Sequence, residues 1–159
     1  MERLSAAYAA KIATPFAVIG IQICAQKLVR LEYLAPNVPT HPPQDALARE
    51  VCRQIRAYQA DPLHRFDLPC EAEGTTFQKR VWREIARIPS GKSRSYGELA
   101  SILKSAPRPV GGACGSNPIP LIVPCHRVVA ANGQLGGFMH SRDPLPLSIK
   151  RWLLAHERR

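Results

Sequence analysis

Cys125 and His126 stand side by side in Leu121–Val129 (LIVPCHRVV), a run that is otherwise apolar except for Arg127. A thiol is a nucleophile only as its thiolate, and an ordinary cysteine is mostly protonated at neutral pH. An adjacent imidazole can take the proton, and a nearby cation favours the thiolate. A cysteine in an apolar run is more often a small buried hydrophobe. Here His126 and Arg127 interrupt a run that packing alone would fill with Val or Ile. Successive side chains of an extended strand point opposite ways, so His126 reaches Cys125 directly only at a turn and otherwise through a bridging water. The second imidazole nitrogen needs an acceptor that fixes its tautomer. Glu157 is one candidate; its alternative is an exposed carboxylate at a helix C-terminus, where negative charge is slightly unfavourable.

The other cysteines (Cys24, Cys52, Cys70 and Cys114) are scattered, with no CxxC pair. An odd total of five fits neither a disulfide framework nor a zinc finger, so a reducing cytoplasm is expected and no metal site is assigned. The N-terminus lacks an apolar core with a small-residue cleavage site, so no secretion signal is expected. Residues 15–25 (PFAVIGIQICA) are apolar but too short to span a bilayer, and a buried strand is the better reading. No membrane partner is expected. The net charge of +10 is unevenly placed. Residues 1–76 hold eight basic and eight acidic side chains, whereas residues 77–159 hold fourteen basic and four acidic ones. The second half therefore carries the whole excess, as for a surface that meets a polyanion or, alternatively, a merely solvated basic face.

These groups need elements to position them. Strands are expected over Thr14–Cys24 and Lys27–Leu34, then a proline-rich loop at Ala35–Pro43. Asp45 can cap a helix over about 46–58, with Leu47, Val51, Ile55 and Tyr58 at helical spacing, and Arg65–Leu68 reads as a further strand. In the second half, Thr75 or Thr76 can cap a helix over about 77–87 that faces inward through Phe77, Val81, Trp82 and Ile85. Ser95 with Glu98 forms a capping-box pattern for a helix Tyr96–Lys104, stopped by Pro107. A short helix over about 109–115 follows, started by Pro109. A closing helix is expected at Ser148–His156, with Ile149, Trp152 and Leu153 inward. The expected fold class is α+β: a small N-terminal α/β domain (residues 1–73, with linker) before a mostly helical domain (74–159) holding a helix-turn-helix, winged-helix-like in layout.

Pro124-Cys125-His126-Arg127-Val128 resembles the active-site signature of the O6-alkylguanine-DNA alkyltransferases, or methylated-DNA–protein-cysteine S-methyltransferases. The likeness extends in order along residues 74–157. Gly74-Thr75-Thr76-Phe77-Gln78 with Val81-Trp82 is similar to the family's opening helix. Ile88-Pro89-Ser90-Gly91 and Ser95-Tyr96-Gly97-Glu98-Leu99-Ala100 follow, then Arg108-Pro109-Val110-Gly111-Gly112-Ala113 and Asn117-Pro118-Ile119-Pro120. Lys150–Glu157 (KRWLLAHE) is similar to the closing helix. Residues 1–73 share only the general layout.

The resemblance implies single-use transfer of an alkyl group from guanine O6 to Cys125, with no cofactor. Whether O4-alkylthymine is a further substrate is left open by the resemblance. A Cys125–water–His126–Glu157 relay would move the thiol proton, Tyr96 would serve guanine N3, and Asn117 would hold the turn beneath the cysteine. Carbonyls of Cys125 and Val128 would read the guanine amino group. The loop through Gly137 and Phe138 would line the alkyl pocket; it is longer here by Met139–Pro144, and the donor to guanine O6 is not assigned by number. Arg108 would fill the gap left by a flipped nucleotide, with Tyr96, Gly112 and Ala113 also meeting the DNA. The implied partner is double-stranded DNA approached through its minor groove by a monomer. Flipping is needed because O6 is out of reach of a buried thiol inside a stacked duplex. Three other readings compete: a non-enzymatic lesion-binding relative, which lacks the cysteine at this position; a helix-turn-helix regulator without chemistry; and a cysteine hydrolase that turns over many times.

Overall fold

A computed structural model of the chain describes residues 7–141 and 143–158. Residues 1–6, where no secretion signal is expected, Arg142 of the lengthened loop and Arg159 lie outside them. The chain divides into two compact units, Met1–Glu73 and Gly74–Arg159, and the fold class is the expected α+β.

The first unit is an antiparallel meander of β1 (Ala10–Ala13), β2 (Val18–Cys24) and β3 (Lys27–Leu34). The strand expected over Thr14–Cys24 is thus shorter, and β1 precedes it. Pro15 has no N–H to give a ladder. The Thr14 hydroxyl accepts from the Ala17 amide (3.1 Å) and donates to its carbonyl (2.6 Å), turning the chain between the strands. Ala25 and Gln26, both at positive φ, make a two-residue hairpin loop between β2 and β3. Helix α1 (Ala46–Ala60), capped by Asp45, packs against β1 and β2 and buries Val51, Ile55 and Tyr58. The strand expected at Arg65–Leu68 does not form. Gln54 of α1 takes up the backbone there instead, accepting from the Asp67 amide (2.8 Å) and donating to its carbonyl (2.9 Å).

The second unit is built on helices. Thr75 is the cap of α2 (Thr76–Ile85), in a reciprocal box with Gln78. Ser95 and Glu98 make the same box for α3 (Tyr96–Leu103), which fixes Tyr96 as its first residue. Helix α4 (Pro107–Gly115) begins two residues earlier than expected. Pro107 and Pro109 both fall in the first turn, where amides have no intrahelical acceptor and proline costs little. Helices α2, α3 and α4 pack on one another around Val81, Ile85, Leu99, Leu103 and Val110. A short parallel pair joins β4 (Arg94–Ser95) to β5 (Val128–Val129). Helix α5 runs Pro144–Glu157, a turn longer than expected, because Pro144 and Pro146 occupy its first turn as in α4. Ile149 and Leu153 are buried as expected, whereas Trp152 is only half-buried and stacks on His156 (4.8 Å between ring centres). Among the described residues no helix is long and apolar enough to cross a membrane.

Candidate active site

The stretch leading into Cys125 is locked before it reaches the thiol. Asn117 is buried; its side chain donates to the Val123 carbonyl (2.8 Å) and accepts from the Ile119 amide (3.0 Å). Inside that loop Leu121 sits at φ 77°, a conformation costly for a branched residue and held by its buried side chain. The Cys125 amide then bonds back to the Val123 carbonyl (2.8 Å), a tight turn centred on Pro124. Cys125–Arg127 form one 3₁₀ turn rather than the strand the apolar run suggests. Proline's lost donor and the tight turn before it end the extended backbone.

The turn projects His126 and Arg127 onto one carboxylate. His126 Nε2 lies 2.8 Å from Glu157 Oε2. Arg127 grips the same carboxylate bidentately, from Nε to Oε1 and from Nη2 to Oε2, each 2.9 Å, and also donates to the Ile88 carbonyl (2.6 Å). Glu157 and His126 are buried, with side-chain exposures of 1% and 0%. A carboxylate accepts only, so Nε2 carries the imidazole hydrogen and Nδ1 its lone pair. Nδ1 is buried and meets no protein donor. Burial lowers the His126 pKa below the ordinary range, outweighing Glu157's pull in the other direction, so the ring is a neutral base at pH 7.

The thiol is not activated by its surroundings as the neighbouring cations suggest. Burial raises the Cys125 pKa to about 11, against smaller lowering effects from an Asn117 hydrogen bond and from Lys150. Lys150, unassigned by the sequence reading, is fully buried at the heart of the site. Its Nζ donates to the carbonyls of Val128 (2.7 Å), Leu135 (2.5 Å) and Gly137 (3.0 Å) and lies 5.8 Å from the Phe138 ring. It therefore ties β5 to the loop that follows. Its sequence signal was its place three and four residues before the buried Leu153 and Leu154, on the apolar face of α5. Burial depresses its pKa to about 8.

Cys125 opens into a cavity of about 680 Å³ lined also by Tyr96, Arg108, Cys114, Gly137, Phe138 and Met139. Tyr96, from the start of α3, lies against Gly111 and Gly136. Arg108 is exposed on α4. Gly112 is exposed and its Cβ position meets only open space. Ala113, expected to meet the DNA, is buried, and its carbonyl accepts from the Trp82 indole (2.8 Å). Val128 is buried as well, and its carbonyl, expected to read guanine, already serves Lys150. The structure thus joins Cys125, His126, Asn117 and Glu157 in one cluster, and gathers Tyr96, Arg108, Gly137 and Phe138 around the adjoining cavity. Among the described residues no group of three or more His, Cys, Asp or Glu side chains is arranged to hold a metal ion.

Residues 76–159 match the profile of the 6-O-methylguanine DNA methyltransferase DNA-binding domain. A methylated-DNA–protein-cysteine methyltransferase of Methanosarcina acetivorans is 47% identical over 111 residues, which are 69% of this chain and 68% of the relative. Among solved structures, the O6-methylguanine methyltransferase of Mycobacterium tuberculosis superposes with TM-score 0.79 at 35% identity, covering 93% of this chain and 90% of that one. Mycobacterium tuberculosis OGT in complex with DNA gives TM-score 0.79 at 36% identity, with 93% and 91% covered. The chain belongs to the 6-O-methylguanine DNA methyltransferase family. Its activity is DNA repair by direct transfer of an alkyl group to a protein cysteine, that of a methylated-DNA–protein-cysteine S-methyltransferase.

The buried titrating groups give the unfolding equilibrium a distinctive pH profile. Lys150 has a folded pKa of about 8 against an ordinary 10.5, so between these values the unfolded chain holds a proton that the folded chain has released, and stability rises with pH. Cys114, at about 12, and Cys125, at about 11, act oppositely above their ordinary 9.0, where the unfolded thiols ionise first and stability falls. Urea midpoints should therefore climb between pH 8 and pH 9, by at most about 1.4 kcal/mol per pH unit from this one proton, and fall beyond. Lys150→Met should remove the climb and keep the fall. A climb that survives in Lys150→Met would assign the titration to another group.

Proposed function

We propose that this chain repairs O6-alkylguanine in double-stranded DNA, and O4-alkylthymine by the same chemistry, by moving the alkyl group to Cys125 once per molecule. The observation that carries this reading is the buried His126–Glu157 hydrogen bond of 2.8 Å, set beside a cysteine that opens into a cavity. The Cys125 sulfur attacks the alkyl carbon; the S–C bond forms as the C–O6 bond breaks. The thiol proton passes through a water to the lone pair of His126 Nδ1, whose other nitrogen is held by Glu157. Tyr96 hydrogen-bonds guanine N3 and delivers a proton there as the base departs. Over the whole step one proton leaves the thiol and one reaches guanine, the proton held by His126 replacing, through solvent, the one that Tyr96 gave, and the base leaves neutral. The thioether product is a poor leaving group, which makes the transfer irreversible.

A raised thiol pKa fits such a relay. At about 11 the thiol stays protonated until a positioned base takes the proton, so Cys125 is spared indiscriminate alkylation. Asn117 supports the turn that carries the nucleophile. The Cys125 carbonyl and the pocket wall at Gly137 and Phe138 receive the flipped base; Val128 contributes through its carbonyl, shared with Lys150.

Arg108 occupies the stack vacated by the flipped nucleotide, and Gly112 gives α4 a close approach in the minor groove. The excess positive charge of residues 77–159 supplies the attraction to phosphates. The protein acts as a monomer, in a reducing cytoplasm that keeps its cysteines free. A lesion-binding relative without chemistry would have no use for the cysteine and its buried relay.

Mixing with DNA bearing O6-methylguanine should add one methyl group to the intact protein mass, map it to Cys125, and add nothing to Cys125→Ala. A methyl group found on Cys114, the other thiol of the cavity, would overturn the assignment. Arg108→Ala should slow repair in duplex DNA at least about tenfold more than it slows reaction with free O6-benzylguanine, which needs no unstacking. Equal slowing on both substrates would remove Arg108 from the flipping step.

A further inference from the structure

Phe138 and Ser141 pair across a two-residue hairpin, amide to carbonyl in both directions (2.8 and 2.9 Å), with Met139 and His140 as its central residues. Both have positive φ, 53° and 63°. A hairpin loop of this type favours Asn-Gly, so a Met-His pair there is held by its surroundings. Two contacts anchor the hairpin. Phe138 is buried next to Lys150. On the other side the His140 ring lies so close over Gly115 of α4 that a Cβ at Gly115 would collide with it, and His140 Nε2 is 3.1 Å from the Ser116 hydroxyl. Between these anchors Met139 has little backbone freedom, and its Sδ rests 4.0 Å from the Cys125 Sγ.

On the reading that Cys125 is the alkyl acceptor, we propose that Met139 is the size-determining wall of the alkyl pocket, and that the His140–Gly115/Ser116 clasp holds it against the nucleophile. The sulfur must be reached by the alkyl carbon, and whatever lies beyond that carbon meets the Met139 thioether. A methyl group has nothing beyond it. A benzyl or longer group must push Met139 aside, which an unbranched side chain with three rotatable bonds allows at a cost rather than forbids. The chain is accordingly a ranking device that prefers O6-methylguanine to bulky O6-alkylguanines.

The test is single-turnover transfer from duplex DNA bearing O6-methylguanine or O6-benzylguanine, read as the ratio of benzyl to methyl rates. Methyl transfer by the unmodified protein is the control for the underlying reading; its absence would refute Cys125 as acceptor rather than the role of Met139. Met139→Ala should raise the ratio about tenfold, the scale at which apolar pockets discriminate by a few methylenes. His140→Ala should move it the same way by freeing the hairpin, and Met139→Leu, which keeps the bulk, should hold it near the unmodified value. A ratio unchanged in both Met139→Ala and His140→Ala, whether or not the individual rates fall, would overturn the proposal, as would a ratio that rises equally in Met139→Leu.

Discussion

A single buried carboxylate organises the second unit. Glu157, two residues from the chain's end and 1% exposed at its side chain, is satisfied by Arg127 through two bonds and by His126 through one. An unpaired charge at that depth would be strongly destabilising, so α5 docks in the register that brings Glu157 to the 3₁₀ turn. The dependence runs both ways. The turn presents two consecutive side chains to one acceptor only because Pro124 and the Asn117-tied loop bend the backbone there. Charge pairing, helix docking and imidazole orientation are therefore one constraint.

Burial then shapes the chemistry. The same low-dielectric surroundings that strengthen the Glu157 contacts push Cys125 up to about 11, keep His126 neutral and bring Lys150 down to about 8. A neutral thiol beside a neutral, oriented base is a resting state in which no charge is stranded. Lys150, against the carbonyls of Val128, Leu135 and Gly137, ties the loop to β5, and its charge favours the Cys125 thiolate against the larger effect of burial. Its three hydrogen bonds offset only part of the cost of burying its charge, as the lowered pKa shows.

What could be read in the sequence was local or ordered along the chain. Ser95 with Glu98 announces a helix start because a capping box satisfies two orphan amides reciprocally, and Tyr96 follows from it. The ordered motifs from Gly74 to Glu157 named the family, and the Cys-His adjacency named the chemistry. What could not be read depended on tertiary contact. The extended look of LIVPCHRVV hid a 3₁₀ turn, since nothing local reveals that Arg127 reaches the end of α5 thirty residues away. Arg65–Leu68 has strand-like residues, yet Gln54 satisfies its backbone. Paired prolines at the starts of α4 and α5 read as breaks where they begin helices. Ala113 stands next to the exposed Gly112 in sequence but turns inward on the helix, under Trp82.

The central claim is that Glu157, by fixing His126, sets the readiness of Cys125 to react. The most direct measurement is the pH–rate profile for methyl transfer by Glu157→Gln, alongside its affinity for alkylated DNA. Glu157 raises the His126 pKa, so without its charge the imidazole is a weaker base: the plateau rate near pH 7 should fall at least about tenfold, the equivalent of ~1.4 kcal/mol, and the acid limb of the profile should move down, while affinity stays near that of the unmodified protein. A profile superimposable on the unmodified protein's, with affinity retained, would show that Glu157 anchors the helix and leaves the chemistry of Cys125 untouched.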